Sequence, residues 1–120
     1  MAINKEIRLA VLDGDGIGPE ITAATLTVLK AAGKRAGLTV KAKRAPIGWK
    51  AYEKTKCTLP DSTRAVLEAH EGWIVGPTFA GEYPKDDPMR GHPNGFLRRH
   101  YKLFANVRPV EAWPQLDPLV

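Results

Sequence analysis

The chain carries a single cysteine, Cys57, so it has no internal disulfide framework, and it is compatible with a reducing compartment. Cys57 sits in "KTKCTLP" with no partner for redox or metal chemistry, and reads as an incidental thiol. No stretch approaches the ~20 consecutive apolar residues that a membrane span needs. Met1–Ala10 has only a short apolar patch after mixed charge and does not read as a secretory signal. Internal repeats, low-complexity segments and a G-K-S/T phosphate loop are all missing. What remains is ordinary for a soluble globular protein: 120 residues, 43% apolar and 26% charged, enough for one domain or a piece of a larger one. The net charge of +5 suits a polyanion, small anionic substrates, or nothing in particular. For a nucleic-acid module the only further support is "KAKR" (Lys41–Arg44), without interleaved aromatics. A solvated strand explains those four residues better.

The pattern along the chain alternates strands and helices. "EIRLAVLDGDG" places Ile7, Leu9 and Val11 on one face and Ala10 and Leu12 on the other, as in a central strand of a covered sheet. A glycine bend follows, with Pro19 suited to a first helical turn. Ile21, Thr25, Val28, Leu29 and Ala32 recur at helical spacing, giving a helix to about Arg35 that Gly37 ends. Leu38–Ala45 alternates as a second strand, and a short helical turn is expected near Lys50–Lys54. Asp61 or Ser62 can cap a helix carrying Ala65, Val66 and Ala69. "GWIVGP" is a compact strand. The long segment Thr78–Gly95, rich in glycine and proline, has the length of a loop that is either functional or disordered. "FLRRHYKL" then reads as a helix and "LFANVRPV" as another strand. This order predicts a layered α/β fold with a mostly parallel sheet, whose ligands collect at the carboxyl ends of the strands, where both glycine-rich loops lie.

"VLDGDGIGPE" (Val11–Glu20) poses a sharper question, since glycines between a strand and a helix can cradle a pyrophosphate. The spacing Gly14-x-Gly16-x-Gly18 brings the third glycine one residue early for the dinucleotide fingerprint. The region that should supply an acid for the ribose, "KRAGLTVKAKR", has none, and Asp13 and Asp15 would repel a phosphate. The chemistry favours a tight strand-to-helix bend.

"HPNGFLRRHYKLFANVRP" holds the other constellation. Asn94 and Arg98 are four apart, on one face of a helix beginning near Asn94. Arg108 follows an apolar strand context, where a guanidinium needs an acidic partner from the protein or from a ligand, and its planar fork suits a carboxylate. Plainer readings stand beside these. Arg98, Arg99 and Lys102 fit the solvated face of a helix, and Asn94 fits a cap. His92 and His100 fit the surface and, without a nearby acid, make a poor metal site. His70 fits a helix end, and Trp49, Trp73 and Trp113 fit the core.

Taken together, "GDGIGPE" after the first strand, "LPDST" before the helix over 62–69, "GP" ending the third strand and "LRRHYKLFANVRP" resemble the β-decarboxylating dehydrogenases, the isocitrate/isopropylmalate dehydrogenase family. The spacing L-R-(x)9-R-P makes the resemblance strong, and it runs the length of the chain. It implies that residues 1–120 are the N-terminal part of the large domain of an isocitrate/isopropylmalate dehydrogenase-like layered α/β fold, distinct from a Rossmann domain and incomplete in this chain. The implied activity is oxidation of a 2-hydroxy acid by hydride transfer to NAD or NADP, with decarboxylation. Mg2+ or Mn2+ polarises the hydroxyl and stabilises the enolate, its ligands lying outside this segment together with the catalytic residues.

Residue by residue, the resemblance places Arg98 and Arg108 on the substrate carboxylates, Ile17 near the cofactor's adenine side and Thr78 near the nicotinamide. Asn94 bridges substrate and nicotinamide, as in the isocitrate type, where the isopropylmalate type is apolar. His92 stands where the isocitrate type has a serine, and with Asn94 it would read the distal substituent. The resemblance further implies a cytoplasmic enzyme, homodimeric at full length, with a small-molecule substrate, no nucleic acid and no membrane. By itself this segment is expected to be inactive. Two alternatives remain open: an isopropylmalate-type substrate, and a non-catalytic binding or regulatory subunit of the same fold.

Overall fold

A computed structural model describes residues 5–89 and 92–111. Its elements are β1 (Lys5–Leu12), α1 (Gly18–Arg35), β2 (Leu38–Ala45), α2 (Trp49–Thr55), α3 (Asp61–Glu68), β3 (Gly72–Val75) and α4 (Pro93–His100). The strands form one sheet in the order β2-β1-β3 with both pairings parallel, so Leu12 lies beside Ala45 on one side and Val75 on the other. The apolar sequence of β1 thus takes the central position expected of it, and Ala10, Val11 and Leu12 are fully buried. Ala10 and Leu12 pack with Ala45, Ile47, Leu59, Leu67 of α3 and Leu97 of α4 into one core. Each fully buried aliphatic side chain of this kind contributes about 1.5–3 kcal/mol.

The helices form where expected, but their buried faces differ. In α1 the buried residues are Gly18, Thr22, Leu26 and Gly33, while Ile21 and Val28 are exposed. The helix phase is fixed at its start by a hydrogen bond and at its end by a close approach that only glycine allows. At its start, the Thr22 hydroxyl donates to Asp13 Oδ1 at 2.7 Å. At its end, Gly33 approaches β2 so closely that an added Cβ would stand 3.2 Å from the Val40 side chain. In α3 the inward residues are Thr63 and Leu67, with Val66 half-buried, whereas Ala65 and Ala69 are exposed. Pro60 is its N-cap residue and no side chain caps it; Asp61 instead pairs with Arg64.

The expected strand over "LFANVRPV" is absent. Residues 103–111 form neither strand nor helix, and Leu103, Phe104, Val107 and Val110 are exposed. An extended apolar sequence becomes a strand only where a neighbouring strand takes up its backbone groups, and none does so among the described residues. Trp73 fulfils its core expectation, donating its indole N–H to the Leu67 carbonyl at 2.8 Å and meeting Tyr101 edge-on. Trp49 is half-buried, and Trp113 lies outside the described residues. Cys57 is half-buried and free, and burial pushes its thiol pKa up, away from the reactive thiolate.

Gly14 (φ +79°) shows why the bend needs glycine: a Cβ there would overlap the Pro77 carbonyl. Gly81 (φ +96°) has the same backbone handedness with open space around it. Gly14→Ala is therefore expected to lose at least about 3 kcal/mol in chemical denaturation, and Gly81→Ala about 1 kcal/mol. Equal losses would mean that the loop yields to the added methyl.

Candidate functional site

Both glycine-rich loops leave the carboxyl ends of the parallel strands and meet there. The Asp15 N–H donates to the Pro77 carbonyl at 2.8 Å, and the Gly16 backbone lies against the Phe79 ring. The two aspartates of the glycine motif are structural tethers. Asp13 accepts the Arg44 Nε–H on both oxygens at 3.1 Å as well as the Thr22 hydroxyl, joining β1 to β2 and α1. Asp15 is 7% exposed and accepts the Trp49 N–H at 2.8 Å, the Phe79 N–H at 3.2 Å and the Tyr83 hydroxyl. The long loop is thus ordered from within. Farther along, buried Asp87 accepts the Thr58 N–H at 3.0 Å and the Thr58 hydroxyl at 2.7 Å, and Asp86 accepts the Tyr52 hydroxyl at 2.8 Å.

This loop delivers Thr78 to the start of α4, where Asn94 Nδ2 donates to Thr78 Oγ1 at 3.2 Å. Asn94 does not cap the helix; His92 is the N-cap residue, its side chain making no capping bond. Asn94 and Arg98, one turn apart, line a recess of about 200 Å3 whose other walls are Trp73 and Val75 of β3, Leu97 of α4 and Leu103. Arg98 is exposed, and among the described residues no ion pair engages it. Its guanidinium is open to an anion, as are those of a solvated helix face. The Asn94 Oδ1 atom is buried without a hydrogen-bond partner.

Of the six residues marked from sequence, the structure brings Thr78, Asn94 and Arg98 together. Ile17, exposed at the start of α1, stands on the adjoining loop next to the Gly16–Phe79 contact. His92 is exposed two residues before Asn94 and is not a wall of the recess. Arg108 departs from expectation: it is exposed and its Nε–H donates to Asn106 Oδ1 at 3.3 Å, so it is not a buried cation in need of a carboxylate. The reason is the missing strand, since without pairing the segment does not enter the core. Sequence reasoning missed Asp15 and Tyr83, which shape the site without lining it. The one signal for Asp15 is a carboxylate held between two glycines of positive φ.

A second recess of about 200 Å3, at the end of β2, is walled by Asp13, Arg44, Lys50 and Lys54 among others, and holds none of the six. Among the described residues no group of three or more His, Cys, Asp or Glu is placed to hold a metal ion, and no helix is long and apolar enough to cross a membrane.

In parallel layered α/β sheets ligands collect at the carboxyl edge, and the mixed basic and apolar recess of this chain lies there. The chain belongs to the isocitrate/isopropylmalate dehydrogenase family, whose model matches residues 8–119. It is 36% identical over 118 residues to a 3-isopropylmalate dehydrogenase of Vibrio parahaemolyticus, covering 95% of this chain and 32% of that protein. It is 39% identical over 116 residues to one of Halalkalibacterium halodurans, covering 92% and 31%. A solved β-decarboxylating dehydrogenase of Thermococcus kodakarensis, in its apo form, shares the fold with a TM-score of 0.66 at 23% identity, covering 81% of this chain and 27% of that one. The chain thus spans about a third of the length of the curated relatives it matches. Their names do not bear out the tilt toward the isocitrate type drawn from Asn94.

The Tyr83 hydroxyl has its pKa raised well above the usual tyrosine value, first by burial and then by its bond to Asp15 and that carboxylate's charge. A phenol whose folded pKa is raised contributes stability that is fully present below the unfolded value of about 10 and is lost as pH rises above it. Melting temperature measured from pH ~9 to ~11 should fall more steeply for the native protein than for Tyr83→Phe. Parallel curves would show that Tyr83 ionises alike in both states.

Proposed function

We propose that this chain is the N-terminal part of the large domain of an NAD(P)-dependent enzyme that oxidises a 2-hydroxy acid and decarboxylates the product. The observation that carries the reading is the recess on the carboxyl edge of the sheet lined by Asn94 and Arg98, with Thr78 hydrogen-bonded to Asn94 beside it, in a chain of this family.

When bound, NAD or NADP would supply the acceptor for the hydride from the substrate's C2, and Ile17, Thr78 and Asn94 are the residues here that would hold it. Arg98 binds a substrate carboxylate through its fork of N–H donors. Trp73, Val75, Leu97 and Leu103 give apolar walls beside that contact. The unpartnered Asn94 oxygen fits a group that offers an N–H or O–H, as the carboxamide of a nicotinamide does. Ile17 meets the adenine side. The described residues do not fit the divalent cation Mg2+ or Mn2+, whose ligands belong to other parts of the enzyme. A cytoplasmic, homodimeric protein acting on a small molecule completes the reading.

For the substrate, the relatives' names favour a 3-isopropylmalate-type acid, whereas the polar Asn94 favours an isocitrate-type one. The protein that contains this chain is expected to reduce NAD or NADP with one of the two acids when Mg2+ or Mn2+ is supplied. Arg98→Ala should lower kcat/KM for that acid by about 10–100-fold, the worth of a charge-assisted hydrogen bond. Asn94→Leu should shift the preference from isocitrate toward isopropylmalate; an unchanged ratio would remove Asn94 as a reader of the distal substituent. Binding of the acid without nucleotide reduction would support a non-catalytic member of the fold instead.

A further inference from the structure

The recess at the end of β2 gathers three cations from two elements. Arg44 is the next-to-last residue of β2, and Lys50 and Lys54 stand one turn apart on α2. All three are exposed, and neither lysine has an ion-pair partner among the described residues. Glu53, the one acid of α2, is not a wall of the recess. The one carboxylate that is a wall, Asp13, is already engaged: it accepts the Arg44 Nε–H at 3.1 Å on both oxygens and the Thr22 hydroxyl at 2.7 Å. Asp13 offsets one of the three cations, so a surplus of positive charge remains for a ligand.

Asp13 also aims the arginine. Holding Nε fixes one edge of the planar guanidinium, and its two terminal NH2 groups make no hydrogen bond among the described residues. An arginine held in this way presents its remaining donors with less freedom left to lose on binding. The adjoining walls include Ala45 and Ile47, both buried in the core. Charges beside such apolar walls attract a counter-ion more strongly than charges surrounded by water.

The distribution of charge selects the ligand. A carboxylate has one charge and two oxygens, which a single guanidinium fork satisfies. Three cationic groups, two of them point charges on flexible stems, suit an anion with about two charges and three accepting oxygens, which a phosphate group supplies.

We propose that this recess binds a phosphate group through the Arg44 fork, Lys50 and Lys54. It shares no wall with the recess of Asn94 and Arg98, and β1 lies between the strands at which the two open. The source is either free inorganic phosphate or a small phosphomonoester whose organic part rests on Ala45 and Ile47.

Calorimetric titration with inorganic phosphate of the protein that contains this chain tests the site, in an Arg98→Ala background that removes the cation of the other recess. Saturable binding is expected. Lys50→Met and Lys54→Met, which keep the apolar stem, should each weaken it about tenfold, the low end for a hydrogen bond to a charged group. Arg44→Lys keeps the charge, loses the fork and should weaken it as much. Lys43→Met removes the same charge from an exposed neighbour outside the walls, and should change affinity by less than about twofold. Absence of saturable binding would overturn the proposal. So would equal weakening in Lys43→Met, the mark of a diffuse positive field, and so would succinate binding as tightly as phosphate. Glycerol 3-phosphate binding more tightly than inorganic phosphate identifies a phosphomonoester as the source; equal or weaker binding identifies free phosphate. Should Arg44→Lys not fold, the two exposed lysines decide alone.

Discussion

The Asp15 carboxylate is the constraint on which the carboxyl edge of this sheet depends. Three separate segments — the start of α2, the turn after β3 and the loop at Tyr83 — place donors on its two oxygens. A buried carboxylate is costly unless such donors meet it, and removing one partner costs more than the bond is worth. The arrangement therefore holds as a unit. It also dictates small residues nearby. Gly48, at φ +71°, lies so close that a Cβ would overlap the carboxylate oxygens. With Gly14 against Pro77, this gives the glycines of the first loop their purpose: they let backbone approach backbone and carboxylate, and no phosphate is required to explain them.

Much of the architecture was legible because it rests on local pattern. β1 is apolar on both faces and became the central strand; Pro19 and Gly37 bracket α1; "GWIV" became β3. The buried face of α1 was not legible. Ile21 and Val28 carry the apolar signal, yet Thr22 and Gly33 face inward, because a hydroxyl must reach Asp13 and a missing side chain must meet β2. Hydrophobic periodicity cannot weigh a hydrogen bond to a loop against a methyl group. The segment over 103–111 failed for a related reason. Its composition is that of a strand, but strand formation is a property of a pair of segments, and the sequence of one does not supply the other.

The site divides along the same line. Thr78, Asn94 and Arg98 were marked by motif spacing, and the fold brings them together because β3 and α4 end and begin at the same corner. Arg108 was marked by the same motif, but its placement hangs on the strand that does not form. Asp15 and Tyr83 could not be found from composition. Asp15 reads as one acid in a glycine-rich bend, and Tyr83 as one aromatic in an irregular loop 68 residues farther on. Only the three-dimensional contact joins them.

That contact explains why the brace is a carboxylate and not an amide of the same shape. An asparagine at position 15 would offer both a donor and an acceptor, and the phenol of Tyr83 could then point its proton either way. Asp15 has no donor to give, so the Tyr83 hydroxyl keeps one orientation and the loop around it one register against the start of α2.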